Sequence, residues 1–250
     1  MVKYTCKLFN SHVNSNILTI ESMYMIHYTA VIFDLDGTLL DTLEDLTDAV
    51  NFALQHNGIP TQTKDTIRMA LGNGLLNLFE TLLPNGHNNP CLAKCLSDFR
   101  QIYPDISQNH TSPYEGVPEM LAELQQNGIF TAVVSNKFHT AAARLVKHYF
   151  PSIPCCMGEQ ESAGIRRKPA PDMILTILQE YNIPPENCLY VGDSEVDIVT
   201  AANAGIACVS VPWGFRDREF LIQHGASIMI HTPDALTQYI LAPNKQGASR

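Results

Sequence analysis

Short apolar runs alternate with longer amphipathic ones along most of the chain. Runs rich in β-branched and aromatic residues cover 29–36 (TAVIFDLD), 130–137 (FTAVVSNK), 188–194 (CLYVGDS) and 207–214 (ACVSVPWG), with a weaker one, SIMI, near 227. Between them, 117–127, 138–149, 171–181 and 195–204 carry apolar residues at helical spacing. Strands alternating with helices predict βαβ units, hence an α/β, doubly wound parallel sheet with helices on both faces. Helix punctuation agrees: Asn57-Gly58 and Asn127-Gly128 follow amphipathic helices as stops, and Pro118 suits a first helical turn.

The stretch from about Glu44 to Ser112 breaks this alternation, because it reads helical throughout: LEDLTDAVNFALQH, TIRMALGNGLLNLFETLL and CLAKCLSDFRQIY. It predicts an inserted helical domain hinged near Leu40 to Thr42 and Ser112 to Gly116. The chain thus divides into an α/β core at 29–42 and 113–250, a helical cap at 43–112, and an N-terminal extension at 1–28.

Polar residues close the predicted strands at one end: Asp34 and Asp36, Ser135 and Asn136, and Asp193. In an open doubly wound sheet those ends converge on one crevice, where ligands bind. Asp34 and Asp36 are two positions apart, so strand alternation would put two like charges on one face. An acidic, solvated turn would tolerate them without chemistry; the company of the other polar strand ends favours a site. Asp193 and Asp197 stand one turn apart where strand gives way to helix, a placement that suits capping as well as ligation. Glu195, between them, reads as facing water.

Composition limits the partners. The 250 residues are 45% hydrophobic and 16% charged, enough to bury a full core. A net charge of -9 repels phosphate backbones, which argues against general binding of nucleic acid or anionic membrane. Any anion site must be local. The seven cysteines are odd in number and lack paired knuckles, so they read as free thiols in a reducing, cytoplasmic setting. Cys91 and Cys95 read as a half-buried helix face. Residues 1–28 contain neither a membrane-spanning run nor a clean signal peptide; they read as a loosely attached extension, or translation begins at Met23 or Met25.

Taken in order, DLDGTLLDT, VVSNK, KPAPD and GDSEVDI closely resemble the four motifs of the haloacid-dehalogenase-like hydrolase superfamily, over roughly Tyr28 to the C-terminal helix. The insertion with RMALGNGLLNLF, the YEGV restart and the late PWGFRDRE resemble the phosphoglycolate phosphatase branch. The resemblance implies a Rossmann-like core with a helical cap and hydrolysis of a small phosphorylated metabolite by a monomer or homodimer. Within it Asp34 is the nucleophile that becomes an aspartyl phosphate, and Asp36 protonates the leaving alkoxide and later deprotonates water. Mg²⁺ would be held by Asp34, the backbone carbonyl of Asp36, and Asp193, with Asp197 in support. Ser135, the backbone N–H of Asn136, and Lys168 would bind the phosphoryl group, Lys168 also neutralising Asp34.

The acid at position 36 disfavours dehalogenase, phosphonatase and P-type ATPase chemistry, whose members lack one there. A β-phosphoglucomutase-like role shares both aspartates, but that branch usually carries a His soon after its D-T pair, whereas Asp41-Thr42 is followed by LEDL. Pyrophosphatase or nucleotidase chemistry fits the same cap class. A catalytically silent binding protein would be expected to lack Asp34, Asp36, Lys168 or Asp193, and all four are present. Arg166 and Arg167 either recruit an anionic substrate or pair with acids such as Glu159 and Glu161. Gly72 and Gly74 interrupt a helical pattern at a cost of about 1 kcal/mol each relative to alanine. They read either as a plain loop or as a turn facing the strand ends, with Arg68 and Asn73 meeting the leaving group.

Overall fold

The computed structural model describes residues 28–242 in full, together with the backbone of the short strands β1 (Met25–Ile26) and β9 (Asn244–Lys245), which pair antiparallel. The rest of the 1–27 segment lies outside the described residues, and with it the expectations for the extension, its start site and Cys6.

The main sheet has five parallel strands in the order β6-β5-β2-β7-β8. Its centre is β2 (Ala30–Phe33), flanked by β5 (Phe130–Phe138) and β7 (Cys188–Gly192), with Ala30 in register with both Phe130 and Cys188. The outer strands are β6 (Cys155–Glu159) and β8 (Ala207–Ser210). Because helices cover both faces, all four β2 residues are buried. Val31 and Phe33 point into one apolar cluster and Ala30 and Ile32 into the other, as a period of two requires. Burying a side chain the size of Phe33 or Ile32 contributes about 1.5–3 kcal/mol.

Three strand expectations are corrected. Strand β6 was not among the expected runs, because CCMGE is a short edge strand, only partly buried, with no alternation to mark it. SIMI makes only a single bridge, Ser210 to Met229, instead of a strand. The β2 run also ends earlier than expected: Leu35 O accepts the N–H groups of Leu39 and Leu40, and Gly37 takes φ +85°, so the chain turns back after Leu35.

The insertion leaves and returns through a two-stranded antiparallel hinge, β3 (Leu40–Asp41) against β4 (Ser112–Pro113). Between them run helices Leu43–His56, Lys64–Ala70, Gly74–Leu82 and Leu92–Ile106. Their inward faces close a separate apolar cluster that includes Leu46, Leu54, Ile67, Phe79, Phe99 and Tyr103. Phe99 stacks on Tyr103 with ring centres 5.1 Å apart. The core contributes Ala141 and Phe215 to that same cluster, so cap and core share packing. Buried Asp45 fastens the hinge, accepting hydrogen bonds from His110 N (2.9 Å), Thr111 N (2.9 Å) and Thr111 Oγ1 (2.7 Å).

Candidate active site

The polar strand ends meet under the cap, as the parallel topology demands. Asp34 follows β2, Ser135 to Lys137 close β5, Asp193 follows β7, and Lys168 enters from the loop before helix Asp172–Glu180. Asp34, Asp36, Ser135, Asn136, Lys168 and Asp193 all line one cavity whose opposite wall is cap residues Leu46, Leu75, Leu78, Phe99 and Tyr103 with the turn at Gly72 and Gly74.

Lys168 is the electrostatic centre. Its Nζ lies 2.9 Å from Asp34 Oδ1 and 2.7 Å from Asp197 Oδ1, with Tyr190 Oη at 3.2 Å. Burial alone would lower its pKa, but Asp197 and Asp34 outweigh burial and hold it above the usual lysine range. Its backbone is fixed too: Lys168 N donates to Asn136 Oδ1 (2.7 Å), while Asn136 Nδ2 donates to Lys168 O (3.0 Å) and to Gly72 O of the cap (2.9 Å).

Carboxylate oxygens of Asp34, Asp193 and Asp197 lie within 4.8 Å of one another, all buried. Burial, opposed by Lys168 and reinforced by Asp197 and Asp193, drives Asp34 well above the ordinary carboxyl range. Asp193 is pushed up to about 7, by burial first and then Asp197, against the pull of Phe215 N–H and the Thr38 hydroxyl. One ammonium cannot compensate full ionisation of three buried carboxyl groups, and hard oxygen donors at this spacing fit a divalent cation.

The turn around Asp193 is built to admit nothing else. A Cβ on Gly37 would sit 2.3 Å from Asp193 Oδ2, and one on Gly214 would sit 2.1 Å from Gly37 O. Thr38 Oγ1 (3.0 Å) and Phe215 N (2.7 Å) donate to the two Asp193 oxygens. Asp197 both braces and caps: Oδ1 accepts from Lys168 and Tyr190, and Oδ2 accepts from Ser194 N (3.0 Å) and Ser194 Oγ (2.6 Å) at the start of helix Glu195–Ala204.

Asp36 has its own counter-charge, Lys137, whose Nζ lies 2.9 Å from each Asp36 oxygen; Thr42 Oγ1 adds a 2.7 Å bond. The like charges of Asp34 and Asp36 are therefore divided between two buried lysines. Lys137 stands inside the VVSNK segment yet carried no expectation, since a lysine at a strand end reads by default as solvated.

The remaining candidates are placed as follows. Arg68 stands at the boundary between cap and core, where its guanidinium donates to Phe215 O and pairs with Asp65. Asn73 stands between the lining residues Gly72 and Gly74, at the start of helix Gly74–Leu82. Arg166 pairs with Asp172 at 2.7 Å, and Arg167 with Glu161 at 3.6 Å. Glu195 does not simply face water; it accepts from Arg216 Nε at 3.1 Å.

The family model of the haloacid dehalogenase-like hydrolases matches residues 31–211, the span that carries every strand end described above. The chain belongs to that family. It is 30% identical over 210 residues to phosphoglycolate phosphatase 1 of Pseudomonas aeruginosa, covering 80% of this chain and 75% of that one. The phosphoglycolate phosphatase of Agrobacterium fabrum is 32% identical over 198 residues, covering 74% and 81%. A crystal structure from Lactobacillus delbrueckii subsp. bulgaricus, provisionally named a phosphoglycolate phosphatase, superposes with a TM-score of 0.82 at 36% identity, over 86% of this chain and 99% of that one. The chain is accordingly a hydrolase of the phosphatase kind. No helix among the described residues is long and apolar enough to cross a membrane.

Proposed function

We propose that this protein is a Mg²⁺-dependent phosphatase that hydrolyses small phosphate monoesters through an aspartyl phosphate on Asp34, with phosphoglycolate the favoured substrate. The observation that carries this reading is the Asp34–Lys168 contact of 2.9 Å beside Asp193, at the cavity end of the central strand. A nucleophilic carboxylate with a fixed ammonium at its side is positioned for a phosphoryl group that needs mainly placement and charge neutralisation.

Asp34, the Asp36 backbone carbonyl and Asp193 would hold the cation. When bound, Mg²⁺ supplies positive charge against the phosphoryl oxygens. The remaining work belongs to the chain. Ser135 Oγ accepts from Lys137 N at 3.2 Å, which leaves its own hydrogen to donate to a phosphoryl oxygen. An Asp34 oxygen bonds phosphorus as the ester oxygen leaves with a proton from Asp36. Asp36 then takes a proton from water, whose oxygen displaces Asp34 from phosphorus. The names of the relatives support the substrate.

The test is phosphate release from phosphoglycolate and p-nitrophenyl phosphate with Mg²⁺ and after EDTA. Folded Asp34→Asn should be inactive on both. Substantial turnover by that variant would refute the aspartyl-phosphate route, and a wild-type enzyme indifferent to EDTA would refute the cation requirement.

A further inference from the structure

The loop after β8 attaches to both halves of the molecule within two residues. Phe215 donates its N–H to Asp193 Oδ2 at 2.7 Å, accepts at its carbonyl from Arg68 of the cap, and buries its ring in the cap's apolar cluster. Arg216 is 3% exposed and directs its guanidinium the same way. Its Nη1 donates to Arg68 O (2.9 Å) and its Nη2 to Met69 O (3.2 Å) and Leu71 O (2.8 Å), carbonyls at the end of helix Lys64–Ala70 and just beyond it. Those are groups that a helix end leaves in need of donors. Nε is anchored on Glu195 of the core.

The other end of the loop is equally tied down. Trp213 Nε1 donates to Thr38 O at 3.1 Å, and Thr38 Oγ1 donates to Asp193 Oδ1 at 3.0 Å. Gly214 passes so close that an added Cβ would lie 2.5 Å from Asp193 Cβ. Asp193 and the loop are therefore bonded directly through Phe215 and indirectly through Thr38.

We propose that the Phe215–Arg216 dipeptide couples docking of the cap to the position of Asp193, so that cation binding and cap closure favour each other. The coupling rests on the reading of Asp193 as a cation ligand. Undocking the cap removes three carbonyl acceptors from a buried guanidinium and withdraws the cap from around the Phe215 ring, so the dipeptide has a docked and an undocked state of different free energy. A cation that fixes Asp193 fixes Phe215 N–H and presents Arg216 to the cap. By linkage, a closed cap raises cation affinity by the same factor. Arg216 is a positioning residue in this scheme, and Arg68 is its partner from the cap side.

The experiment uses the full chain, wild type against Arg68→Ala and Arg216→Lys, with Mg²⁺ alone as the probe. Amide hydrogen exchange is followed across residues 64–74, and Mg²⁺ affinity is taken from the shift in thermal unfolding. In the wild type, Mg²⁺ should slow exchange over 64–74. In each variant that protection should weaken, and the Mg²⁺ concentration for half-maximal effect should rise about five- to tenfold, the loss of roughly one hydrogen bond. Turnover of phosphoglycolate and p-nitrophenyl phosphate should fall by one common factor. Arg68, with its side chain 29% exposed, keeps the test available if Arg216→Lys does not fold. Wild-type protein that binds Mg²⁺ with exchange over 64–74 unchanged overturns the coupling, as do variants with wild-type Mg²⁺ affinity. A loss in Arg68→Ala confined to phosphoglycolate overturns it in favour of a leaving-group contact. Wild-type protein that binds no Mg²⁺ overturns the cation-ligand reading itself and the coupling with it.

Discussion

Replacing Lys168 by Met tests the charge balance of the site directly. The ammonium sits 2.9 Å from Asp34 and 2.7 Å from Asp197 and is 2% exposed, so no solvent stands ready to replace it. Methionine keeps most of the stem's volume, which confines the change to charge. At the 4.8 Å limit of the carboxylate cluster and an effective dielectric of about 20, two ionised carboxylates repel by about 3.5 kcal/mol. Proton uptake by the aspartates caps that cost, and removal of one partner from a buried ion pair typically destabilises by about 3–5 kcal/mol. For a chain of this size the variant should melt roughly 10 °C lower in EDTA. Trp213, the single tryptophan, reports on the site because its Nε1 donates to Thr38 O at 3.1 Å, so its fluorescence gives the transition. Mg²⁺ should restore more stability to the variant than it adds to the wild type, since a cation replaces part of the missing charge. Phosphatase activity should be lost in both conditions. A variant that melts with the wild type in EDTA would refute the reasoning: the carboxylates would then be compensated without Lys168.

Asp36→Asn should retain phosphoenzyme formation from p-nitrophenyl phosphate while losing it from an alkyl phosphate, because only the poor leaving group needs a proton; rapid-quench measurement of the phosphoenzyme with both esters decides, and equal losses would count against the assigned role. Asp45→Ala should cost about 2–4 kcal/mol in urea unfolding, since it strands the N–H groups of His110 and Thr111 and the Thr111 hydroxyl, all bonded to Asp45 at 2.7–2.9 Å. An Asp45→Ala protein as stable as the wild type would mean that the hinge finds other acceptors.

The central strands were legible because burial on both faces leaves a run of apolar residues that no surface element produces. Asp34, Ser135 and Asp193 were legible as strand ends for the same reason. Strand β6 was not, since an edge strand with partly exposed CCMGE carries neither a buried run nor an alternation. The residues that bind cap to core were the least readable. Arg216 and Arg68 are far apart in sequence and ordinary in type, and each donates to a backbone carbonyl, an acceptor that every residue offers. Gly72 and Gly74 did announce a special backbone, and their φ values of +115° and +81° explain them. Nothing in the residues themselves said that Asn136 would donate to Gly72 O across the boundary.

Two aspartates two positions apart can divide the chemistry only if their surroundings differ. Asp34 is buried among Lys168, Asp193 and Asp197 and accepts Leu35 N at 2.7 Å, so its carboxylate is held from several sides in one orientation, which suits the nucleophile role proposed for it. Asp36 is held instead by Lys137 and by Thr42, the residue between β3 and the first cap helix. Its partners are a separate cation and the base of the hinge, so it can exchange hydrogen bonds without disturbing the Asp34 cluster. An acid that must release a proton and then recover one needs that freedom. On the proposed reading, the early end of β2 separates the two roles, because it lets Asp34 meet Lys168 while Asp36 meets Lys137.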